Sequence, residues 1–242
     1  MNVREATEGE LADWDTHTVD PPGGHVLQSV AWARHRAASG WQPLHLVLGD
    51  GARVLGLRRL WPLLRGPVAG ASAYVPRGPI PRDITATAGE AVAVAEWLAS
   101  RGVDVVAVDP EVSADTPYGA AMAQAGFRQI EEIQPSRHRV GLPLRGADED
   151  GVLAAVAKST RQRIRRAERD ETVVVRHDSR AGDDVGDGFA GPAEGTRAAL
   201  DRFYDLLLET GERRHFAFGP RRRYLAWWKA AHAAGHLILL EA

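Results

Sequence analysis

Along the chain, stretches whose apolar residues recur every three or four positions alternate with stretches whose apolar residues alternate or run together. That is the pattern of a mixed α/β protein. Val30, Ala33 and Ala37 fall at helical spacing, so residues 26–39 (VLQSVAWARHRAAS) predict a helix with Ser29 as its N-cap and Gly40 as its end. Residues 44–48 and 53–61 flank Gly49-Asp50-Gly51, whose glycines supply the backbone freedom of a tight turn, and together predict a β-hairpin. The Gly- and Pro-rich segment 66–83, centred on Tyr74-Val75-Pro76-Arg77-Gly78-Pro79, reads as extended and irregular. An alanine-rich helix over 86–101, ended by Gly102, leads to an apolar strand over 103–108 with Asp109-Pro110 at its carboxyl end. This is the order of a βαβ unit. A short helix over 117–125, closed by Gly126, and a strand over 137–144 follow.

The second half is more polar. Leu153, Val156, Ala157, Thr160, Ile164 and Ala167 share one helical face while arginines take the other. A strand over 172–176, an Asp- and Gly-rich loop over 177–196, helices over 197–210 and 220–234 and a last strand over 236–241 complete the pattern. The polar RGADEDG run at 145–151 suits a boundary, so modules of 1–145 and 146–242 are expected. LILLE at 237–241 has the apolar character of a strand inside a sheet. With nothing after it to pair, the second module is expected to be incomplete unless it borrows partners from elsewhere.

Composition narrows the function classes. At 44% hydrophobic and 26% charged residues, the chain is neither disordered nor a coiled-coil rod. No apolar run approaches the ~20 residues that span a bilayer. The start, MNVREATEGE, lacks the basic-then-apolar order of a secretory signal, so the cytoplasm is the expected location. A net charge of -2 excludes global attraction to nucleic acid, leaving any such role to local patches. The absence of Cys excludes disulfides, thiolate zinc sites and a cysteine nucleophile. The nine histidines are scattered, so no metal site is expected. There is no G-x-S-x-G elbow, Walker loop or dinucleotide-binding glycine motif placed after a strand.

Three places could carry chemistry. Between Lys158 and Arg169 stand six bases and one acid, a cationic helical face able to meet phosphates or RNA, or a solvated face paired with Glu149, Asp150 or Glu171. Arg213, Arg214 and His215, then Arg221, Arg222 and Arg223, lead into Tyr224, Trp227 and Trp228, where arginines rim aromatics that read as helix core. Asp109 ends a buried strand, where open α/β sheets form clefts; it is placed to orient an amine or accept its proton, or only to start a turn.

Taken in order, several short stretches resemble the Fem family of aminoacyltransferases, the non-ribosomal peptidyl transferases of peptidoglycan cross-bridge synthesis. They are Gln28-Ser29, Trp32-Ala33-Arg34-His35-Arg36 and Trp41; Tyr74 to Pro79; Asp109-Pro110-Glu111-Val112; Gly126-Phe127; Ser159 to Arg169; and Glu212 to Tyr224. The resemblance implies tandem GNAT-like (acyl-CoA N-acyltransferase-like) modules, the second incomplete because the family continues beyond residue 242. It implies transfer of an amino acid from aminoacyl-tRNA to the stem-peptide amino group of a lipid-linked or UDP-linked muropeptide, with no metal or dissociable cofactor. Peripheral contact with the inner membrane face would follow from a lipid-linked acceptor.

By the same resemblance Arg36 and Arg77 bind the precursor, and Asp109 is the catalytic residue of the D-P-E-V turn. Lys158, Arg161, Arg163, Arg165 and Arg166 border the tRNA. The family's second phosphate-binding Arg precedes a Pro; here Gly219 precedes Pro220, and Arg221 is expected to stand in. A GNAT-like N-acyltransferase using acyl-CoA on another amine, and a non-catalytic remnant that binds nucleotide-sugar or RNA, are the alternatives.

Overall fold

The computed structural model describes residues 1–61, 70–134, 146, 148–179, 193–215 and 218–242 of the chain. In order, the elements are β1 (Val3–Glu5), α1 (Glu8–Ala12), α2 (Trp14–Thr18), a 3-10 turn at Val26–Gln28, α3 (Val30–Ala37), β2 (Gln42–Leu48), β3 (Arg53–Trp61), β4 (Gly70–Val75), α4 (Ile84–Ala99), β5 (Val105–Val108) and α5 (Tyr118–Gln124). They continue with α6 (Glu149–Ala155), α7 (Lys158–Arg169), β6 (Val175–Asp178), α8 (Ala193–Arg214), α9 (Arg221–Ala233) and β7 (Ile238–Glu241).

Two compact units form, and they are not simple halves. One comprises Met1–Arg128 with Leu200–Leu237, the other Gln129–Ala199 with Ile238–Ala242. Residues 200–237, which the polar 145–151 run would assign to a second module, thus pack with the first, where α9 lies against α3. The reason is aromatic: Trp227 meets Trp32 edge-on at 4.7 Å and His35 at 5.5 Å.

The first unit is built on a sheet of order β1-β2-β3-β4-β5, antiparallel through β4 and parallel between β4 and β5. The β2–β3 hairpin turns where the sequence predicts, with Asp50 Oδ1 accepting the Ala52 N–H at 3.1 Å and Gly51 at φ 86°. Because strand side chains alternate, β2 and β3 serve two cores. Leu44, Leu46, Leu48 and Val54 face α4, where Ala93, Val94, Trp97 and Leu98 cover them. Val47, Leu55 and Leu57 face the other way, onto Trp14 and Ala33. Asp83 caps α4 by accepting the Ala86 N–H at 2.8 Å, and the helix carries the chain from β4 across to β5 as a βαβ connection.

In the second unit the continuous helix expected from residue 152 is broken. Val156 and Ala157 are extended, and the Arg161 guanidinium caps the end of α6 by donating to the carbonyls of Ala154 at 2.9 Å and of Val156. Strand β6 begins three residues later than the apolar TVVV run suggests. The last strand finds its partner within the same stretch of chain: β7 pairs antiparallel with β6, Val175 opposite Glu241. Its burial is one-sided, with Leu239 buried but Ile238 and Leu240 largely exposed. The strand expected over 137–144 and most of the 177–196 loop lie outside the described residues.

One hydrogen-bonded pair spans long sequence distance within the first unit. His236 Nε2 lies 2.8 Å from Asp15 Oδ2, while Asp15 Oδ1 accepts the Val30 N–H at 2.8 Å at the start of α3. Asp15→Ala removes both partners, and urea unfolding is expected to show a loss of roughly 1–3 kcal/mol. A change within about 0.5 kcal/mol would make the pair a surface ornament.

Candidate functional site

The site begins with a buried carboxamide. Gln28, fully buried, donates from Nε2 to the carbonyls of Pro76 at 2.6 Å and Leu55 at 3.2 Å, and accepts the Leu55 N–H at 2.7 Å. The Trp14 indole N–H in turn bonds the Gln28 carbonyl at 2.8 Å. The segment after β4 is thereby pinned to the turn before α3 and to the middle of β3. Gly78 is required here, since a Cβ would stand 2.7 Å from Gln28 Nε2.

Pinned in this way, Arg77 holds a left-handed backbone (φ 52°) and points its N–H at Asp109 Oδ1, 2.5 Å away. Parallel pairing sets Val75 beside Val108, so the ends of β4 and β5 come together and the Tyr74 hydroxyl donates to Asp109 Oδ2 at 2.8 Å. The Arg77 guanidinium lies 3.8 Å from Asp109 and 3.7 Å from Glu111, and His25 Nε2 lies 3.8 Å from Glu111. Burial pushes the Asp109 carboxyl above its ordinary range, against the pull of the Arg77 N–H and Tyr74 hydroxyl. Tyr118 stands near this carboxylate; burial and the Asp109 charge push its phenol up to about 12, and its hydroxyl is buried without a hydrogen-bond partner among the described residues.

Tyr74 also connects this network to a cationic cluster. Alternation along β3 sends Arg59 to the same sheet face as Leu55 and Leu57, the face covered by α3. Arg36, near the end of α3, lies over the rings of Trp32 at 5.4 Å and Trp41 at 5.1 Å. Arg59 lies over Trp41 at 5.7 Å and Trp61 at 5.9 Å. Burial, then the charges of Arg223 and Arg59, lower the Arg36 pKa, and the negative field of Tyr74 opposes them. Its Nε is buried without an acceptor among the described residues. Arg36 and Arg59 thus share aromatic faces, and Arg223 is near enough for its charge to act on Arg36.

Of the expected residues, Asp109 accepts the Tyr74 hydroxyl, Arg77 lies against Asp109, and Arg36 is near enough to feel the charge of Tyr74. Arg59 was not singled out, and Arg223 was named only within the basic cluster ahead of Tyr224, not beside Arg36. Arg221 is otherwise engaged, 3.0 Å from Asp201 and 2.6 Å from Asp205, with its guanidinium over Tyr204. Those carboxylates raise its pKa. Helical spacing holds the missed signal: Arg223 is one turn before Trp227, which packs on Trp32 beside Arg36.

In the second unit, α7 buries no side chain. Lys158, Arg163, Arg165 and Arg166 are exposed, Arg166 with Asp170 at 3.4 Å, whereas Arg161 is half-buried in its capping role. His177 is buried between Thr196 Oγ1 at 3.2 Å and Glu241 Oε2 at 2.7 Å, tying β6 to β7 and to the start of α8. Among the described residues no three His, Asp or Glu side chains group to hold a metal ion, and no helix is long and apolar enough to cross a membrane.

Since the Tyr74 hydroxyl stabilises the ionised carboxylate, Tyr74→Phe should raise the Asp109 pKa further. A pH titration of the Asp109 carboxyl carbon by NMR tests this; an unchanged or lower value would place the hydroxyl outside the network.

No protein-family model and no curated protein matches the chain. Among solved structures, a crystal structure of FemX superposes with a TM-score of 0.66 at 20% identity, over 97% of this chain and 56% of that one. The fold is therefore shared, and this chain spans little more than half of that protein's length. The α/β expectation is met, with an antiparallel sheet that ends in the parallel β4–β5 pair. An aminoglycoside antibiotic 6'-N-acetyltransferase from Acinetobacter haemolyticus aligns with 58% of this chain and 100% of its own at a TM-score of 0.32 and 16% identity, too slight a likeness to build on.

Proposed function

We propose that the chain is a Fem-type aminoacyltransferase, which moves an amino acid from aminoacyl-tRNA to the stem-peptide amino group of a lipid-linked or UDP-linked muropeptide. The observation that carries this reading is Arg36, half-buried between two indoles, facing Arg59 and Arg223 and linked through Tyr74 to the Asp109 network. Such a cluster suits a compact polyphosphate, and both forms of the precursor present a diphosphate. The shared fold with FemX supports the same reaction class.

The chemistry asks little of the protein. The amine nitrogen bonds to the carbonyl carbon of the tRNA ester, the carbon–oxygen bond to the ribose breaks, and the amine's proton ends on the ribose oxygen. An ester is already activated, so positioning the amine is the main task. Each Asp109 oxygen accepts one hydrogen bond and keeps acceptor capacity, which lets the carboxylate orient the amine. Arg77 supports that carboxylate from the side. The exposed bases of α7, Lys158, Arg163, Arg165 and Arg166, offer the tRNA backbone a salt-sensitive surface, while Arg161 acts by shaping the helix pair.

Transfer of labelled amino acid from charged tRNA to a UDP-linked muropeptide tests the proposal. Arg36→Ala and Arg223→Ala should each raise KM for the precursor roughly ten- to hundredfold, the scale of a lost charged hydrogen bond of about 1.5–3 kcal/mol. Arg221→Ala should leave KM nearly unchanged and lower only thermal stability. The reverse ranking would return the phosphate role to Arg221, and product made from acyl-CoA after RNase treatment would replace the tRNA-dependent reading.

A further inference from the structure

The turn after β5 carries a second carboxylate beside Asp109. Asp109 and Glu111 stand two positions apart, and the Val112 N–H returns to the Pro110 carbonyl at 2.9 Å, closing a tight turn centred on Glu111. The Arg77 guanidinium reaches both acids. Its side chain is only 10% exposed, against 25% for Asp109 and 31% for Glu111, so the cation is the covered partner and the carboxylates are the groups a ligand can reach.

The two acids share Arg77 almost evenly. Arg77 Nη1 is 3.8 Å from Asp109 Oδ2, and Arg77 Nε is 3.7 Å from Glu111 Oε1. Both separations exceed hydrogen-bond length, so the guanidinium acts on each acid as a nearby charge and closes a forked pair with neither. His25 holds Glu111 from another element, the turn before α3. Its Nδ1 accepts the Leu27 N–H at 3.0 Å, which leaves the hydrogen of the neutral ring on Nε2, and Nε2 lies 3.8 Å from the same Glu111 oxygen. The His25 backbone N–H is itself fixed on the carbonyl of buried Thr18 at 2.9 Å.

We propose that Glu111 is a positioning residue for the transfer: by drawing the Arg77 guanidinium toward itself, it stops Arg77 from closing a forked pair on Asp109 and keeps the Asp109 oxygens open to the acceptor amine. The consequence for catalysis rests on the transferase reading, whereas the sharing rests on the geometry. Asp109 already accepts the Tyr74 hydroxyl and the Arg77 N–H. A forked guanidinium would add two more donors and fill the roughly four acceptor positions of a carboxylate, leaving none for an amine. Burial raises the Asp109 pKa most and the Glu111 charge adds to it, while the Arg77 N–H, the Tyr74 hydroxyl and the Arg77 charge pull it down. Tyr118 of α5 also stands close enough to feel the Asp109 charge. Removing the Glu111 charge and letting Arg77 close on Asp109 therefore act in one direction, toward a lower Asp109 pKa.

NMR titration of the Asp109 carboxyl carbon in the intact chain, run beside the transfer assay with charged tRNA and UDP-linked muropeptide, tests the assignment. Glu111→Gln keeps the size of the side chain and removes its charge. The Asp109 pKa should fall, and kcat should drop roughly ten- to a hundredfold with KM for the precursor within about twofold of wild type. In an Arg77→Met background, or Arg77→Gln should that variant not fold, the same substitution should change kcat by less than about threefold, because no guanidinium is left to share. Circular dichroism checks folding, and Glu111→Ser stands in should Glu111→Gln not fold. An Asp109 pKa that stays or rises, a higher KM with kcat intact, or an equal loss of kcat in both backgrounds would each overturn the assignment. A wild-type chain that transfers nothing would defeat the transferase reading, and the titration would still decide the sharing: a larger fall in the Asp109 pKa with the Arg77 guanidinium present than without it upholds it, and equal falls overturn it.

Discussion

The Gln28 carboxamide does what no apolar side chain in its place could do. It joins three backbone segments: the turn leading into α3, the middle of β3, and the Pro76 carbonyl just past the β3–β4 pairing. In a buried setting each of these backbone groups must be paired or carry a desolvation cost, so the three bonds act as one interlock. Gly78 completes it by lacking the Cβ that would collide with the amide. Everything proposed for the site follows from this interlock, because it fixes where Arg77 turns back toward Asp109 and where α3 presents Arg36.

The sheet then distributes roles by parity. A strand with two consecutive arginines has to send them to opposite faces, and β3 does so with Arg58 and Arg59. On the α3 side the charge meets Trp41 and Trp61 and joins Arg36; on the α4 side it meets the end of a helix carrying Trp97 and Arg101. Aromatic faces recur beside these cations for a physical reason. A guanidinium taken partly out of water loses hydration, and a ring quadrupole restores some of the electrostatic stabilisation without neutralising the charge, so the cation stays available to an anion. A carboxylate partner would have stabilised it more and closed the site, as Asp201 and Asp205 do for Arg221.

Much of this was legible from residue patterns. The β2–β3 hairpin, the alanine-rich α4 and the strand that delivers Asp109 follow from spacing and turn chemistry, and the structure puts them within a few residues of expectation. Arg36 and Arg77 were singled out by the family resemblance and Asp109 by its place at a strand end; Arg77 and Tyr74 both hydrogen-bond the Asp109 carboxylate. What stayed hidden required tertiary knowledge. The break at Val156 interrupts an intact helical period because a later arginine caps the carbonyls, and no periodicity counts such a bond. The choice between Arg221 and Arg223 turns on which face of α9 packs against α3, and that is decided by Trp227 finding Trp32, a contact 195 positions apart in the chain. The return of residues 200–237 to the first unit has the same origin.

The two basic surfaces differ in kind, and the difference bears on what each can select. Arg36 sits among rings, half-buried, with its pKa lowered by burial and by like charges, so an anion that binds there gains most when it is compact and carries more than one charge. The α7 bases are solvated, spaced along 12 residues of helix, and held by little beyond one ion pair with Asp170. Charges of that kind act through counterion release and tolerate any extended polyanion, with affinity that falls steeply as salt rises. Under the proposed function, that pairing would let the protein be exacting toward a small phosphorylated acceptor while remaining indifferent to the sequence of a long nucleic acid. That asymmetry is what a transfer reaction needs when identity is carried by the acceptor and by the activated group, and the polymer serves only to deliver it.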